Sequence, residues 1–207
     1  MNFWGHLKTV NRHRRLVRKG CFAIGLYYQG LTHDLSKYSP TEFLVGVRYF
    51  QGTRSPNVAE REDKGYSASW LHHKGRNRHH YEYWIDYSLH SPNPGLHGML
   101  PCPMPIRYIC EMLIDRIAAC KVYRGAEYTQ RSALEYYNSG KEPAPLHPKT
   151  KAFLELFLNM LAVKGEKETF DFLKNQVLPR KKEFDKKENL ELCLEFCEEY
   201  RKKLETS

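Results

Sequence analysis

The chain has 207 residues, a formal net charge of +9 and 28% charged residues. This length suits one domain, or one domain with a helical extension, and is enough to bury a core without a metal or disulfides. No apolar run reaches the roughly 18 residues of a membrane-spanning helix, and the N-terminus lacks the apolar region and cleavage site of a secretory signal. We therefore expect a cytoplasmic protein with no membrane partner and with its six cysteines reduced.

Positive charge is concentrated at the N-terminus. Residues 1–33 contain no acidic residue, whereas residues 164–205 hold 11 basic and 11 acidic residues. A basic cluster of this kind attracts the phosphates of nucleotides, metabolites or nucleic acids. A solvated helix face is the competing interpretation, and the sequence favours neither. The cluster consists of Lys8, Arg12, Arg14, Arg15, Arg18 and Lys19.

The first part of the chain is predicted to hold three helices and a loop. Apolar residues at helical spacing predict a helix over about 3–18 that ends at Gly20. A second helix is predicted over about 21–37, loosened at Gly25 and Gly30. The sequence Ser-Pro-Thr-Glu at 39–42 predicts the start of a third helix, because it combines an N-cap, a first-turn proline and a capping box. Residues 51–64 are mostly polar and are predicted to be a loop.

The rest of the chain is also predicted to be helical. Residues 67–88 predict two short helices or one helix bent at Gly75, and residues 88–105, with five prolines and two glycines, predict an irregular loop. Pro105 is expected to open the next helix. Strand-like alternation is absent, so the predicted fold class is all-α, with one domain over 1–145 and a C-terminal helical extension over 146–207. The later helices are expected at about 130–138, 148–163, 167–177 and 188–204.

Histidines and aspartates form the most informative pattern in the sequence. Imidazole nitrogens and carboxylate oxygens are the ligands that suit Zn, Fe, Mn and other divalent metals. Each residue alone is more simply explained as a hydrogen-bonded core or capping residue, whereas the combination favours a metal site. His72 and His79 are seven residues apart, and so are His73 and His80. The two histidines of each such pair would share one face of the helix if that helix is continuous. The pattern comprises His13, His33, Asp34, His72, His73, His79, His80 and Asp115.

The order of these residues resembles that of the HD-domain superfamily of metal-dependent phosphohydrolases. The segment HDLSK, which ends at Lys37, also looks like the central motif of that superfamily. A closer resemblance, over about residues 6–125, is to a family of uncharacterised bacterial proteins of unknown function. It rests on the segments GLTHDLSKYSPTEF, WLHHKGRNRHHYEYW and MPIRYICEMLIDRIA.

The HD-domain resemblance implies an HD-domain-like helical bundle that holds one or two divalent ions, with Mn, Fe, Zn, Co and Mg as candidates. One implied site consists of His13, His33, Asp34 and Asp115, and Asp34 can bridge to a second ion. One histidine of each adjacent pair would serve that second ion, and the sequence leaves the choice within each pair open. We favour the second member of each pair as the ligand and the first as a substrate contact, which gives His73 and His80 as ligands and His72 and His79 as contacts.

The same resemblance implies hydrolysis of a phosphoester, on a nucleotide or a phosphorylated metabolite, by a metal-activated water. Asp34 and Lys37 are the expected catalytic residues, and Lys37 and Arg76 are expected to hold the substrate phosphate. A surface ion pair with Glu42 or Glu82 is the simpler explanation of both cations. Two other functions stay open: a di-iron oxygenase with the same ligands, and a basic nucleic-acid-binding protein without activity. The sequence does not indicate the oligomeric state.

Overall fold

A computed structural model describes residues 1–88, 98–140 and 144–206. Most of these residues are helical, which confirms the predicted class apart from one small sheet. No helix within the described ranges is long and apolar enough to cross a membrane. The chain forms two compact units: unit 1 comprises Met1–Arg78 and Ile114–Tyr128, and unit 2 comprises His79–Leu113 and Thr129–Ser207. The predicted boundary near residue 145 stays a prediction, because a compact unit need not be a folding domain.

Unit 1 begins with a helix that is longer than predicted. The Asn2 side chain caps its first turn by accepting a hydrogen bond from the Gly5 N–H at 2.8 Å. Gly20 does not end the helix. It is a buried residue within the helix, which continues to Ala23. The helices of unit 1 up to residue 78 are α1 (Phe3–Ala23), α2 (Tyr27–Thr32), α3 (Pro40–Arg48), α4 (Pro56–Lys64) and α5 (Ala68–Lys74).

The segment over about 21–37 is not one continuous helix, because its backbone is interrupted twice, and only the first interruption, at Gly25, falls at a predicted weak point. The chain turns at Gly25, whose φ of 84° is the left-handed conformation that glycine adopts readily. After α2, Asp34 has a φ of 54°, and only a single 3-10 turn, Leu35–Tyr38, follows. The start of α3 at Pro40 is confirmed.

The predicted loop over 51–64 is also wrong, because its second half is helix α4. Ser55 caps this helix by accepting a hydrogen bond from the Asn57 N–H at 3.4 Å, and Gly65 ends it with a φ of 79°. The helix was missed because it is polar on most sides. One of its few buried residues is itself charged: Glu60 accepts a hydrogen bond from Ser67 Oγ at 2.7 Å.

The histidine pairs do not share one continuous helix. Helix α5 ends at Lys74, so it carries His72 and His73 but not the second pair. His79 and His80 precede a 3-10 turn over Tyr81–Trp84. Of the two predicted alternatives, two short helices are therefore correct, with the second reduced to one turn.

A helix opening after Pro105 is confirmed as α6 (Ile106–Arg124). Its residues 114–124 belong to unit 1. Ile114, Ile117 and Ala118 are buried there, and Asp115 lies in the same turn. This apolar helix thus places one carboxylate inside unit 1.

Unit 2 contains two short antiparallel strands that the sequence did not predict. Strand β1 (Ile85–Tyr87) pairs with β2 (Met99–Pro101), with Asp86 opposite Leu100. Two three-residue strands are too short to show alternation. The central part of the predicted loop, residues 89–97, lies outside the described residues.

The helices of unit 2 pack around an aromatic core. The Phe184 ring lies 5.1 Å from that of Phe153 and 4.9 Å from that of Phe196. The predicted helices over 148–163 and 167–177 correspond to one element, divided at Gly165 by a non-helical backbone with a φ of 80°. The helices are α7 (Ser132–Asn138), α8 (Pro148–Phe172), α9 (Lys181–Phe184) and α10 (Leu190–Glu205).

The packing of α1 on α3 depends on Gly46. A Cβ atom at this position would lie 2.1 Å from Nε2 of His6, a side chain that is 8% exposed. Burial, followed by the nearby charge of Lys37, lowers the pKa of His6 to about 4, so the ring is neutral at pH 7. We expect Gly46→Ala to lower the free energy of unfolding by about 1–3 kcal/mol in chemical denaturation.

Gly75→Ala is the matched control for this prediction. Gly75 has a right-handed backbone, and its nearest neighbour would lie 3.5 Å from an added Cβ. We expect the control to change stability by less than about 0.5 kcal/mol. Equal losses in the two variants would contradict the close approach of His6 to α3.

Candidate metal centre

Four side chains of unit 1 converge on one point. His13 comes from α1, His33 and Asp34 come from the turn after α2, and Asp115 comes from α6. One ligand atom of each lies within 4.8 Å of the others. Three of the four residues are buried, and Asp115 is partly exposed. These are the residues implied for one metal site, and their role as ligands stays a prediction.

The distances within this cluster fit the coordination sphere of a single ion. Nε2 of His13 lies 3.0 Å from Oδ1 of Asp115 and 3.6 Å from Oδ2 of Asp34. Nε2 of His33 lies 3.5 Å and 3.3 Å from the same two oxygens. Ligand atoms about 2.1 Å from one metal are about 3.0–3.4 Å apart in octahedral or tetrahedral geometry. The distances between the imidazole nitrogens and the carboxylate oxygens, 3.0–3.6 Å, are close to this spacing.

The backbone at Asp34 explains how two consecutive residues reach one point. Neighbouring side chains on a helix diverge by about 100°. Asp34 is instead left-handed, and it is the only non-glycine residue with a positive φ in the described ranges. Such a backbone costs on the order of 1–3 kcal/mol and persists only where surrounding contacts impose it. Here it turns the chain so that His33 and Asp34 both face the cluster.

Arg14 supplies the contacts that hold this turn. Its Nε donates a hydrogen bond to the carbonyl of His33 at 2.8 Å, and Nη2 donates to the carbonyl of Leu31 at 3.1 Å. Nη1 donates to the hydroxyl of Tyr38 at 3.1 Å. Arg14 thus joins α1 to both sides of the His33–Asp34 turn, with Nε, Nη1 and Nη2 each donating one hydrogen bond.

The carboxylate of Asp34 is fully buried and is surrounded by positive or protonatable groups. Lys37 Nζ lies 2.8 Å from Oδ2, and His73 Nε2 lies 3.2 Å from Oδ1. Burial alone would raise the pKa of Asp34, but His33, Lys37 and His73 together hold it well below its usual value. Burial alone would lower the pKa of Lys37. The attraction of the Asp34 and Asp115 carboxylates is stronger than this effect, so the pKa of Lys37 is raised. Lys37 therefore pairs with Asp34 and not with Glu42.

Glu42 is a site residue that the sequence analysis missed. It was expected to close the capping box of α3, yet its Oε2 lies 2.7 Å from Nδ1 of His73 and its Oε1 lies 2.7 Å from Nδ1 of His72. Burial would raise the pKa of Glu42, and the contact with His73 lowers it. Carboxylates in this position fix the ring orientation of histidines at metal sites. No local signal could have identified this role, because the two partners are 30 and 31 residues away.

The other predicted site residues are placed as follows. His72 contacts Glu42, and Arg76 is exposed at the end of α5, where it donates to the carbonyl of His72 at 3.3 Å. Within unit 2, Nδ1 of His79 lies 3.2 Å from Oε1 of Glu111, and the rings of His79 and His80 are 4.2 Å apart. The second ion, which would draw ligands from both histidine pairs, stays a prediction.

Arg14 can be tested against its neighbour on the same helix. We expect Arg14→Gln to lower the free energy of unfolding by about 1–3 kcal/mol, because two carbonyls lose charged hydrogen bonds. Arg15 is exposed, so Arg15→Gln removes the same charge without this loss. Urea denaturation of both variants provides the measurement. Identical midpoints would show that Arg14 does not hold the turn.

Comparison with known proteins places the chain in a family. A family model described as "Family of unknown function (DUF5662)" matches residues 2–160. No curated protein and no solved structure matches the chain. The resemblance to the HD-domain superfamily receives no support from these comparisons. Because the match covers more than half of the sequence, the chain belongs to the DUF5662 family of unknown function.

Proposed function

We propose that this protein is a metal-dependent phosphohydrolase that cleaves a phosphoester of a nucleotide or a phosphorylated metabolite. The observation that carries the proposal is the meeting of His13, His33, Asp34 and Asp115 within 4.8 Å. Two imidazoles and two carboxylates suit a divalent ion that keeps further positions open for water and substrate.

The arrangement of lone pairs allows one cation to contact all four ligand atoms. Nε2 of His13 and Nε2 of His33 lie 3.4 Å apart and face the same two carboxylate oxygens. A neutral imidazole offers one N–H and one lone pair. With both Nε2 atoms unprotonated, one ion can accept a lone pair from each of the four atoms. The cluster can therefore bind a divalent ion through two neutral imidazoles and two carboxylates.

Lys37 is the residue best placed to hold the substrate phosphate. A divalent ion bound here would polarise a phosphate oxygen and lower the pKa of a coordinated water towards neutrality. The Lys37 ammonium has three donors, of which Asp34 Oδ2 takes one at 2.8 Å, and its side chain is 31% exposed. Asp34 thus positions Lys37 at the solvent side of the cluster, where it can donate to a phosphate and stabilise the charge that develops during hydrolysis.

We also propose that the helices around the cluster are of the HD-domain kind. The support is the order of the four residues along the chain, His13, His33-Asp34 and Asp115, and their origin on separate helical segments. The order alone specifies neither the substrate nor the metal, so the reaction class rests on the cluster and on Lys37.

The metal content of the purified protein tests the site itself. We expect one or two equivalents of a divalent metal in protein prepared without chelator, and loss of at least one equivalent in His33→Ala/Asp34→Ala. His147→Ala/Asp171→Ala removes the same residue types from unit 2 and should keep the full content. Asp115→Asn, in which the side chain keeps its size and shape, is a second test of the site in case the double variant does not fold. Metal-free wild-type protein after loading with Mn, Fe and Zn would contradict the proposal.

Turnover tests the role of Lys37 separately from metal binding. We expect Lys37→Gln to keep the metal and to lower kcat for a phosphomonoester by about 10²–10³-fold. Lys64→Gln is the matched control, because Lys64 also pairs with a buried carboxylate, Glu60, at 3.1 Å. A normal kcat in Lys37→Gln would exclude Lys37 as the phosphate-binding residue. Bound iron with consumption of dioxygen and no phosphate release would replace the hydrolase by the oxygenase alternative.

A further inference from the structure

The outward face of α1 carries a line of cations that the metal centre does not use. At about 100° per residue, Lys8, Arg12, Arg15 and Lys19 fall within an arc of about 60° and span about 17 Å along the helix. All four are exposed. His13 lies about 140° around the helix from Lys8, so this basic stripe, Lys8–Arg12–Arg15–Lys19, faces away from the cluster.

Helices α2 and α3 bring no exposed acidic residue to the basic stripe. Residues 1–33 contain no Asp or Glu. Helices α2 and α3 pack on α1, and their only acidic residue is Glu42, which is buried against His72 and His73. Among the described residues, the ion pairs of unit 1 do not include a stripe residue. The positive potential of this face is therefore not offset by ion pairs and is directed outward.

Aromatic side chains stand at both ends of the stripe. Trp4, at the N-terminal end, lies on the same side of α1 and is 76% exposed. Phe22, at the C-terminal end, also lies on this side, and its ring is 5.2 Å from that of Tyr27, which is 61% exposed. Exposed aromatic rings beside a track of cations suit unpaired bases, which stack on them while the cations bind backbone phosphates.

We propose that the outward face of α1 binds single-stranded nucleic acid, with the basic stripe on the phosphates and with Trp4 and the Phe22–Tyr27 pair against bases. An anionic membrane fits this face less well. Helices that lie in a membrane interface insert a continuous apolar face. In α1, Val10, Val17 and Cys21 are buried in unit 1, and the exposed apolar side chains lie only near the two ends of the helix. This inference does not rest on the proposed hydrolase activity, because the two surfaces lie on different sides of α1.

Fluorescence anisotropy with labelled 15-nucleotide oligo(dT) and oligo(U) tests the proposal. We expect wild-type protein to bind, with a slope of log K against log[salt] near −3, since each neutralised phosphate of a single strand contributes about −0.7. Lys8→Gln/Arg12→Gln/Arg15→Gln/Lys19→Gln should weaken binding at least tenfold and bring the slope close to zero. Trp4→Ala should weaken binding on the order of tenfold without changing the slope. Comparing the two oligonucleotides distinguishes DNA from RNA as the ligand.

The control removes the same charge from unit 2. Lys174, Lys181, Lys182 and Lys187 are exposed, and their fourfold replacement by Gln should leave both affinity and slope unchanged. Circular dichroism melting curves of all variants verify that they are folded. Equal loss in the stripe and control variants, or no binding by wild-type protein at about 50 mM salt, would overturn the proposal. So would binding to phosphatidylserine vesicles that is stronger than binding to either oligonucleotide.

Discussion

A fully buried carboxylate is tolerated only where cations and hydrogen-bond donors surround it, and Asp34 imposes this constraint on unit 1. Its two oxygens face Lys37, His73, His13 and His33, which come from α1, α5 and the turn that contains Asp34 itself. Glu42 then holds His73 from the other side. These segments of unit 1 are thus arranged around the negative charge of the Asp34 carboxylate. The proposed metal ion would bind beside that carboxylate.

The strain at Asp34 and the clamp at Arg14 belong to the same arrangement. A left-handed aspartate is unfavourable in isolation, and the Arg14 guanidinium compensates by binding the carbonyls of Leu31 and His33 on the N-terminal side of the turn. The same helix, α1, carries His13 on its buried face and the basic stripe on its exposed face. One helix therefore carries a proposed metal ligand, the arginine that holds the Asp34 turn and a proposed binding surface, each through residues on a different side.

The sequence predicted the helical class, the start of α3 and helix α6, because these depend on local signals such as Pro40, Pro105 and apolar spacing. It also singled out His13, His33, Asp34 and Asp115, since their residue types stand out in apolar surroundings. It missed α4, in which few residues are apolar, although Ser55 and Pro56 repeat the Ser-Pro start of α3. It also missed the break at Asp34, which long-range contacts impose. It assigned Glu42 to a cap because the capping signal is local, whereas the histidines that Glu42 contacts are 30 and 31 residues distant.

The site proposed for one divalent ion consists of His13, His33, Asp34 and Asp115. X-ray absorption spectroscopy of the zinc-loaded protein tests it most directly, because it reports the atoms bound to the metal. We expect nitrogen and oxygen ligands at about 2.0–2.2 Å, together with the multiple-scattering signal of two imidazoles. A sulfur shell at about 2.3 Å would contradict it, because it would place the metal on cysteines such as Cys193 and Cys197 and not on this cluster.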